Sequence, residues 1–497
     1  MQEGTLLAAI DLGSNSFRLE IGRLDHGHVQ RVEYIKETVR QGSGLDSERN
    51  LSDEAMQRGW DCLSRFSERI KGFKRDQVRA VATQTLREAR NRDVFIAKGN
   101  QLLGFPIDVI SGREEARLIY VGVAHLLPQS DERRLVIDIG GRSTELILGQ
   151  GYASHRTESY RLGSVAWSMK YFDNGRLNQA NFERAEVAAK AIVDEAVSSY
   201  GPAHWDIAYG SSGTVGAVAD VLAGKGYPAG VISREGLQWL YESLVRSGHI
   251  DKVVMPGLKD DRRAVIGGGL AILRSLFDLL DLKELVVADG ALRQGLLFDL
   301  VEREDAVTDV RSASIARLAT KFSADTAHSS RVALATEHFL RPLIGAAPAL
   351  RQERLLRKAR WAAQVHEIGA RISHADYHKH GAYILDNADA PGFAQPELHR
   401  LSVLVYGHRG KLKKLSDTLD ERDFQCQLLA LRLAVIVCHA RRTPDLKGLS
   451  LKVAAQGFEL HTHTAWTQAH PQSTYLLQEE CAAWVKIGVP LGMQIAP

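Results

Sequence analysis

The segment from Ile10 to Gly22 has an ungapped counterpart from Ile137 to Gly149, far along the chain. The two agree at Ile10/Ile137, Asp11/Asp138, Gly13/Gly140, Ser16/Ser143, Leu19/Leu146 and Gly22/Gly149. Each follows an apolar run and returns to alternating apolar residues, the pattern of a strand, a tight glycine turn and a second strand. Each therefore reads as a β-hairpin with an acid at its mouth. Turns of this type aim successive backbone N–H groups into one concavity that suits phosphate oxygens. A carboxylate beside them suits a hard cation such as Mg²⁺. Ordinary turn chemistry explains one such motif; two ungapped copies call for a clamp that grips a phosphate chain from both sides.

The rest of the chain is organised around this duplication. Residues 1–125 alternate strand and helix signals: a capped amphipathic helix after Ser52, a buried strand at 78–82, a helix near 93–103, a strand at 106–110 and a helix opening at 113. Residues 126–305 repeat the logic, with a helix around 179–199, a strand at 206–209 entering the small-residue turn Gly210, Ser211, Ser212, Gly213, Thr214, and a strand at 284–288. Alternating units of this kind build α/β halves. From 306 to 440 helical periodicity dominates, at 312–322, 330–340, 353–368 and 427–441. Residues 441–497 return to short strand-like and mixed segments, expected as a small C-terminal α+β domain.

Composition limits the function classes. With 497 residues, 25% charged and 44% hydrophobic, a soluble globular chain of several domains is expected. No apolar run approaches a membrane span and the N-terminus carries no basic segment before an apolar core, so a cytoplasmic location is expected, with peripheral contact at the inner membrane left open. The four cysteines, Cys62, Cys426, Cys438 and Cys481, are scattered and read as free, buried thiols. A net charge of +3 is too small to imply nucleic acid. Local cationic clusters stand out: His378, Lys379 and His380; the 351–360 segment; and His408, Arg409, Lys411, Lys413 and Lys414. Singly each fits a solvated face, and together they favour a polyanionic ligand.

Several residue types carry possible chemistry. Asp138 and Glu145 flank the second turn and Asp11 is the equivalent acid of the first; such acids hold a divalent cation against phosphate. Gly13, Ser14, Asn15, Gly140 and Gly141 offer backbone donors, and Ser16 and Ser143 hydroxyls. Glu114 and Glu115 open a helix after Ser111, where one acid serves the helix dipole and one can act as general base. Arg87 follows a buried strand where open sheets place ligand contacts, and competes there with a surface ion-pair reading. P-loop and dinucleotide fingerprints are lacking, and Ala370 stands where a zincin helix needs its second histidine after His366. His366, His374, His378 and His380 can ligate metal, yet the doublet His366-Glu367 departs from the His-Asp of HD phosphohydrolases, which favours structural roles.

Taken in order, the first hairpin, the segment 111–120, the second hairpin, the 210–214 turn and the segment 288–295 resemble the exopolyphosphatase/guanosine pentaphosphate phosphohydrolase family of the actin, Hsp70 and sugar-kinase superfamily. The segments 361–369 and 377–385 are similar to the degenerate HD-like domain of its long proteobacterial form. The resemblance implies two ribonuclease-H-like domains facing a cleft, then an α-helical HD-like domain and the small C-terminal domain. It implies Glu115 as the base activating water, Arg87 on phosphate, and Asp138 and Glu145, with Asp11, at the metal. Phosphate would lie against 13–16, 140–143 and the turn Ser211, Ser212, Gly213 and Thr214. Further implied are Mg²⁺ or another divalent cation, monovalent-cation activation, a homodimer, and basic surfaces guiding a polymer. Hydrolysis of terminal phosphates from inorganic polyphosphate is the first expectation. Guanosine pentaphosphate is the alternative within the enzyme class, a polyanion sensor or scaffold the alternative outside it, and a sugar-kinase or Hsp70-like ATPase a third option. One departure concerns Arg142, where the family carries glycine or alanine: a positive φ there would cost energy, and otherwise Arg142 adds a phosphate contact or partly occludes the site.

Overall fold

The computed structural model describes residues 2–497 apart from 26–27, 129, 303–308, 389, 416–417 and 455. The chain divides into two compact units, Met1–Asp309 and Val310–Pro497.

The first unit carries two sheets whose topologies repeat as the sequence does. The five-stranded sheet runs in the order His28–Glu37, Phe17–Asp25, Leu6–Leu12, Val78–Ala82, Ile107–Val109. The six-stranded sheet runs Val231–Ser233, Glu284–Val287, Ile207–Ser211, Arg133–Ile139, Thr144–Gln150, Ala153–Tyr160. In each, the hairpin strands pair antiparallel while the first hairpin strand pairs parallel with the next strand inward. Leu6–Leu12 and Arg133–Ile139 are buried almost throughout, which is why they read as continuous apolar runs rather than alternating ones. The edge strand His28–Glu37 is largely exposed and highly charged, as an unpaired edge requires.

Helix Asp53–Arg69 starts where Ser52 accepts from the Ala55 N–H, and buries Met56, Trp60, Leu63 and Phe66 against the first sheet. The expected 179–199 helix ends at Val193 and continues as a 3₁₀ turn and the short helix Val197–Tyr200. Between the sheets lie two helices whose allegiance is crossed. Gly112–Ala124, capped by Ser111, packs on the strands of the second sheet, whereas Leu292–Glu302 packs on the first. They cross so closely that a β-carbon at Gly122 would sit 2.1 Å from the Ala291 carbonyl, and one at Gly295 1.8 Å from that of Leu118. A buried network of Arg79, Glu114, Arg117 and Asp299 ties this crossing to strand Val78–Ala82. Breaking one partner of such a network costs about 3–5 kcal/mol, because a charge is left unpaired.

The second unit is a helical body: Val310–Lys321, Thr326–Ile344, Ala349–Val365, Tyr377–Asn387, Gln395–Gly407 and Arg422–Val437. Thr326–Ile344 starts four residues before the expected 330, because Asp325 caps it by accepting from the His328 N–H at 2.9 Å. The tail forms a three-stranded sheet, Ser450–Ala454, Gly457–His463, Leu491–Ala496, with helix Pro471–Val485. Phe458, Leu460 and Trp484 of this tail share one hydrophobic core with Phe339, Trp361 and Leu428 of the helices. The 441–497 segment thus packs into the helical body's core. All four cysteines are free and buried. No helix among the described residues is long and apolar enough to cross a membrane.

Candidate active site

The two hairpin loops, 13–16 and 140–143, come together at a cavity of about 440 Å³ within the first unit. Ser14, Asn15 and Ser16 line one side, Gly140, Gly141 and Ser143 the other, and Ser211, Ser212, Gly213 and Thr214 a third. Ser212 starts helix Ser212–Lys225 with φ 93°, a strained conformation for a residue bearing a β-carbon. Its hydroxyl accepts from the Thr214 and Val215 N–H groups at 3.2 and 3.3 Å, which offsets part of that strain.

Register decides the charges at the cavity mouth. Asp11 pairs across its hairpin with Arg18, and Asp138 pairs at the equivalent place with Glu145. The Asp11 Oδ2 accepts from Arg18 Nη1 at 3.1 Å, while its Oδ1 is buried without a partner. Asp138 is pushed up to about 6, chiefly by burial. Glu145 stands well above the usual carboxylate range, because burial and then the neighbouring charges of Glu115 and Asp138 disfavour its ionised form; Ser159 Oγ donates to it at 2.8 Å. Glu145 is buried beside Glu115 and Asp138, which line the cavity, and does not line it itself.

Glu115 does line the cavity, and burial raises it to about 7 against the pull of Arg87. Both terminal nitrogens of Arg87 donate to Glu115 Oε2 at 3.1 Å, and the guanidinium also donates to the Ile110 carbonyl at 2.7 Å. Arg87 therefore orients Glu115. The pair Glu114-Glu115 divides cleanly: Glu114 accepts from Arg117 at 2.8 and 2.9 Å inside the buried network, leaving Glu115 as the acid at the cavity.

These acids fit a divalent cation. An orphaned buried oxygen on Asp11 and unneutralised buried acids at Asp138 and Glu145 all favour positive charge nearby. Among the described residues, no three of them bring their oxygens within 4.8 Å of one another. That suits Mg²⁺, which is typically held by one or two carboxylates plus water and substrate phosphates.

Arg142 has a negative φ, so arginine costs nothing there. Its side chain does not line the cavity. It turns to the other hairpin's side and donates to Glu88 Oε2 at 3.1 and 3.3 Å and to the Gly42 carbonyl at 3.0 Å.

Four cations lining the cavity received no role from sequence: Arg18, Lys36, Arg262 and Arg293. Arg18 lies in the first hairpin and Arg293 in the 288–295 segment, and the hairpin register sets Arg18 opposite Asp11. Arg262, in the mixed-charge run 259–263, gave no signal. It is held below its ordinary value by burial and by the neighbouring Arg18, a crowding of like charge that an anion relieves. Next to this cavity lies a second of about 590 Å³, sharing Ser14, Asn15 and Val165 and lined by Met169, Phe172, Leu177 and Ile250.

In the second unit, the basic cluster is less uniform than its sequence. His378 is buried and stacks on Tyr406 at 5.9 Å, and Lys379 pairs with Asp376 at 3.0 Å beside a half-buried His380. Lys414 turns inward to the Tyr406 and Arg409 carbonyls. Arg409 lies over the Tyr377 ring, and it, Lys411 and Lys413 are exposed.

Residues 21–304 match the Ppx/GppA phosphatase family, and residues 310–481 match Ppx/GppA phosphatase, domain III. The chain belongs to the Ppx/GppA phosphatase family. Similar Ppx/GppA relatives include proteins named "Guanosine-5'-triphosphate,3'-diphosphate pyrophosphatase" from Vibrio atlanticus, 37% identical over 492 residues, and from Vibrio cholerae, 38% identical over 496. Each alignment covers 98% of both chains. Among solved structures, the Aquifex aeolicus Ppx/GppA family member is similar with a TM-score of 0.50 at 24% identity, over 61% of this chain and 99% of that one. An exopolyphosphatase from Cytophaga hutchinsonii gives 0.54 at 21%, over 60% and 98%. These structures bear out the two-domain actin-like fold expected of the first unit, and the domain III match the largely helical second one.

Proposed function

We propose that this Ppx/GppA phosphatase removes the terminal 5′-phosphate of guanosine pentaphosphate. The carrying observation is the cavity itself: two phosphate loops, a base-ready Glu115 and a cationic wall, opening beside the more apolar 590 Å³ cavity. The triphosphate end would lie along 13–16 and 140–143, and the nucleoside would lie over Met169 and Phe172. The names of relatives aligned over nearly the whole chain support this order of preference, reversing the one drawn from the basic clusters alone. Inorganic polyphosphate is the second reading, favoured by Arg18, Lys36, Arg262 and Arg293 along the same cavity.

In this reading backbone N–H groups of the loops hold the terminal phosphate, and the nearby arginines neutralise its charge. Glu115 takes a proton from the attacking water; a carboxylate raised to about 7 keeps enough basicity for that while remaining partly ionised at neutral pH. Arg87 holds the carboxylate in place. Asp138 and Glu145, with Asp11 facing them, would hold Mg²⁺. When bound, the ion screens the phosphate charge and helps orient the terminal group. The reading carries a homodimer as well, checked by sedimentation of the full chain.

The test is phosphate release in Mg²⁺ from guanosine pentaphosphate and from long-chain polyphosphate, in parallel, with wild type and Glu115→Gln. Loss of about 10²–10⁴-fold in the variant is expected. Equal activity in both proteins sinks the mechanism, and release from polyphosphate alone returns the substrate to the second reading.

A further inference from the structure

Outside the cleft, the second unit buries a row of histidines: His328, His366 and His408, at 4%, 0% and 2% exposure. Ring centroids lie 5.7 Å apart for His328 and His366 and 5.3 Å for His366 and His408. His366 follows helix Ala349–Val365 and His408 follows helix Gln395–Gly407, each directly at the helix end. In both, Nδ1 lies against the backbone carbonyl three residues back, that of Ala363 at 2.7 Å and that of Val405 at 2.5 Å. A carbonyl only accepts, so Nδ1 carries the proton and Nε2 carries a lone pair. Both Nε2 atoms are buried without a partner, and so is His328 Nδ1. Orphaned buried lone pairs cost free energy and call for an explanation. A hydrogen-bonded Nδ1 with a free Nε2 is the arrangement of an imidazole readied as a metal ligand.

A carboxylate completes the set. One ligand atom each from His328, His366 and Glu367 lies within 4.8 Å of the other two, the one such grouping of three among the described residues. Glu367 Oε1 stands 3.9 Å from His328 Nε2. We propose that His328, His366 and Glu367 form a site for a borderline divalent transition metal such as Zn²⁺, separate from the phosphate cleft. Two imidazoles and one carboxylate are ligands Zn²⁺ accepts, with a fourth position left for water. Metal–ligand bonds of about 2.0–2.2 Å place tetrahedral donors about 3.3 Å apart, so the three must draw together on binding.

The surrounding charges set the terms of that binding. Glu367 Oε1 accepts from Arg441 at 2.7 Å, and Arg441 also reaches Asp325 at 3.2 Å. Arg331, whose Nε is buried without a partner, is a second cation near His328. The competitor is Arg441, which holds the carboxylate the metal needs. Its side chain is 50% exposed and able to swing into solvent, which opens the entry path. This assignment departs from the structural role that the His366-Glu367 doublet suggested in the sequence.

The experiment uses the full chain, stripped with chelator and then exposed to Zn²⁺ in excess Mg²⁺. Mg²⁺ saturates an all-carboxylate centre and competes poorly for imidazole. Bound zinc is counted per chain after gel filtration, and affinity and unfolding temperature are measured on wild type, Glu367→Gln and Arg441→Gln. Glu367→Gln keeps shape at a part-exposed position, so folding survives the loss of a ligand. Expected are one zinc per wild-type chain with a raised unfolding temperature, affinity weakened at least about 10-fold in Glu367→Gln, and affinity tightened about 10-fold in Arg441→Gln. A purely structural cluster predicts that Arg441→Gln destabilises and takes up no metal. No zinc in either wild type or Arg441→Gln overturns the proposal, as does zinc binding indifferent to Glu367→Gln.

Discussion

The two hairpins share a backbone and differ in what stands opposite the acid. Asp11 faces Arg18, whereas Asp138 faces Glu145. The first pair is neutral as a unit and lies beside Lys36, Arg262 and Arg293, so that side is suited to an anion. The second is acid against acid, with both carboxyls raised, so that side takes a cation or a proton. A duplicated fold has thus been given opposite charge at one register position, as the proposed reading of an anhydride with its counter-ion requires.

The largest test of this contrast removes the acid–acid pair. Glu145→Gln keeps the shape and should lower Mg²⁺-dependent phosphate release about 10³-fold, several kcal/mol of charge stabilisation. A variant with near-normal turnover at saturating Mg²⁺ would erase the distinction between the hairpins. The counterpart is Arg18→Gln, which strips the anion side of its central cation. Its effect should fall on KM, raised about 10–100-fold, with kcat less affected. An Arg18→Gln defect confined to kcat would mean that both sides serve the chemical step alike.

A third test uses pH. Glu115 near 7 and Asp138 near 6 must be ionised to act, so kcat/KM at limiting Mg²⁺ should fall as pH drops from 7 to 6. Stability moves the other way. Carboxyls whose folded pKa exceeds the unfolded value make the folded state bind extra protons between about pH 4.5 and 7. Stability contributed by them is full below that window and is lost as pH rises through it. Glu115→Gln should therefore be more stable to unfolding than wild type at pH 8, by about 1–3 kcal/mol, and the gain should vanish at pH 4.5. A gain independent of pH would point to packing instead.

The smallest test concerns Arg142, which holds the place of Asn15 in the other loop and bridges to Glu88 and Gly42. Arg142→Ala should cost about 1 kcal/mol in stability and leave turnover within a few-fold. A large fall in turnover would return Arg142 to the phosphate.

Hairpin geometry, strand burial and the helix caps at Ser52 and Ser111 were legible because they depend on near neighbours in sequence. The Ser111 cap placed Glu114 and Glu115 together at the helix start, and the choice of Glu115 between them rested on the family resemblance. Register carried Asp138–Glu145 as well, since the loops fix which residues oppose. Arg262 and the direction of Arg142 were not legible, because each depends on groups roughly 50 to 240 positions away, Glu88 and Arg18 among them. Nor was the shared core of 441–497 with the helices: a short strand reads the same whether its apolar face meets its own domain or another's. The lone pairs of His366 and His408 depend on tautomers fixed by local carbonyls, which no residue pattern records.

The crossed allegiance of the Gly112–Ala124 and Leu292–Glu302 helices bears on ancestry. Each repeat lends its last helix to the other's sheet, so neither repeat is a self-sufficient folding unit. A forebear with one repeat would have exposed an apolar sheet face, coverable only by exchanging helices with a twin. Such a symmetric pair, later fused, would have carried two identical mouths. On that account the asymmetry of charge between Arg18 and Glu145 came after fusion, when the two copies first became free to diverge.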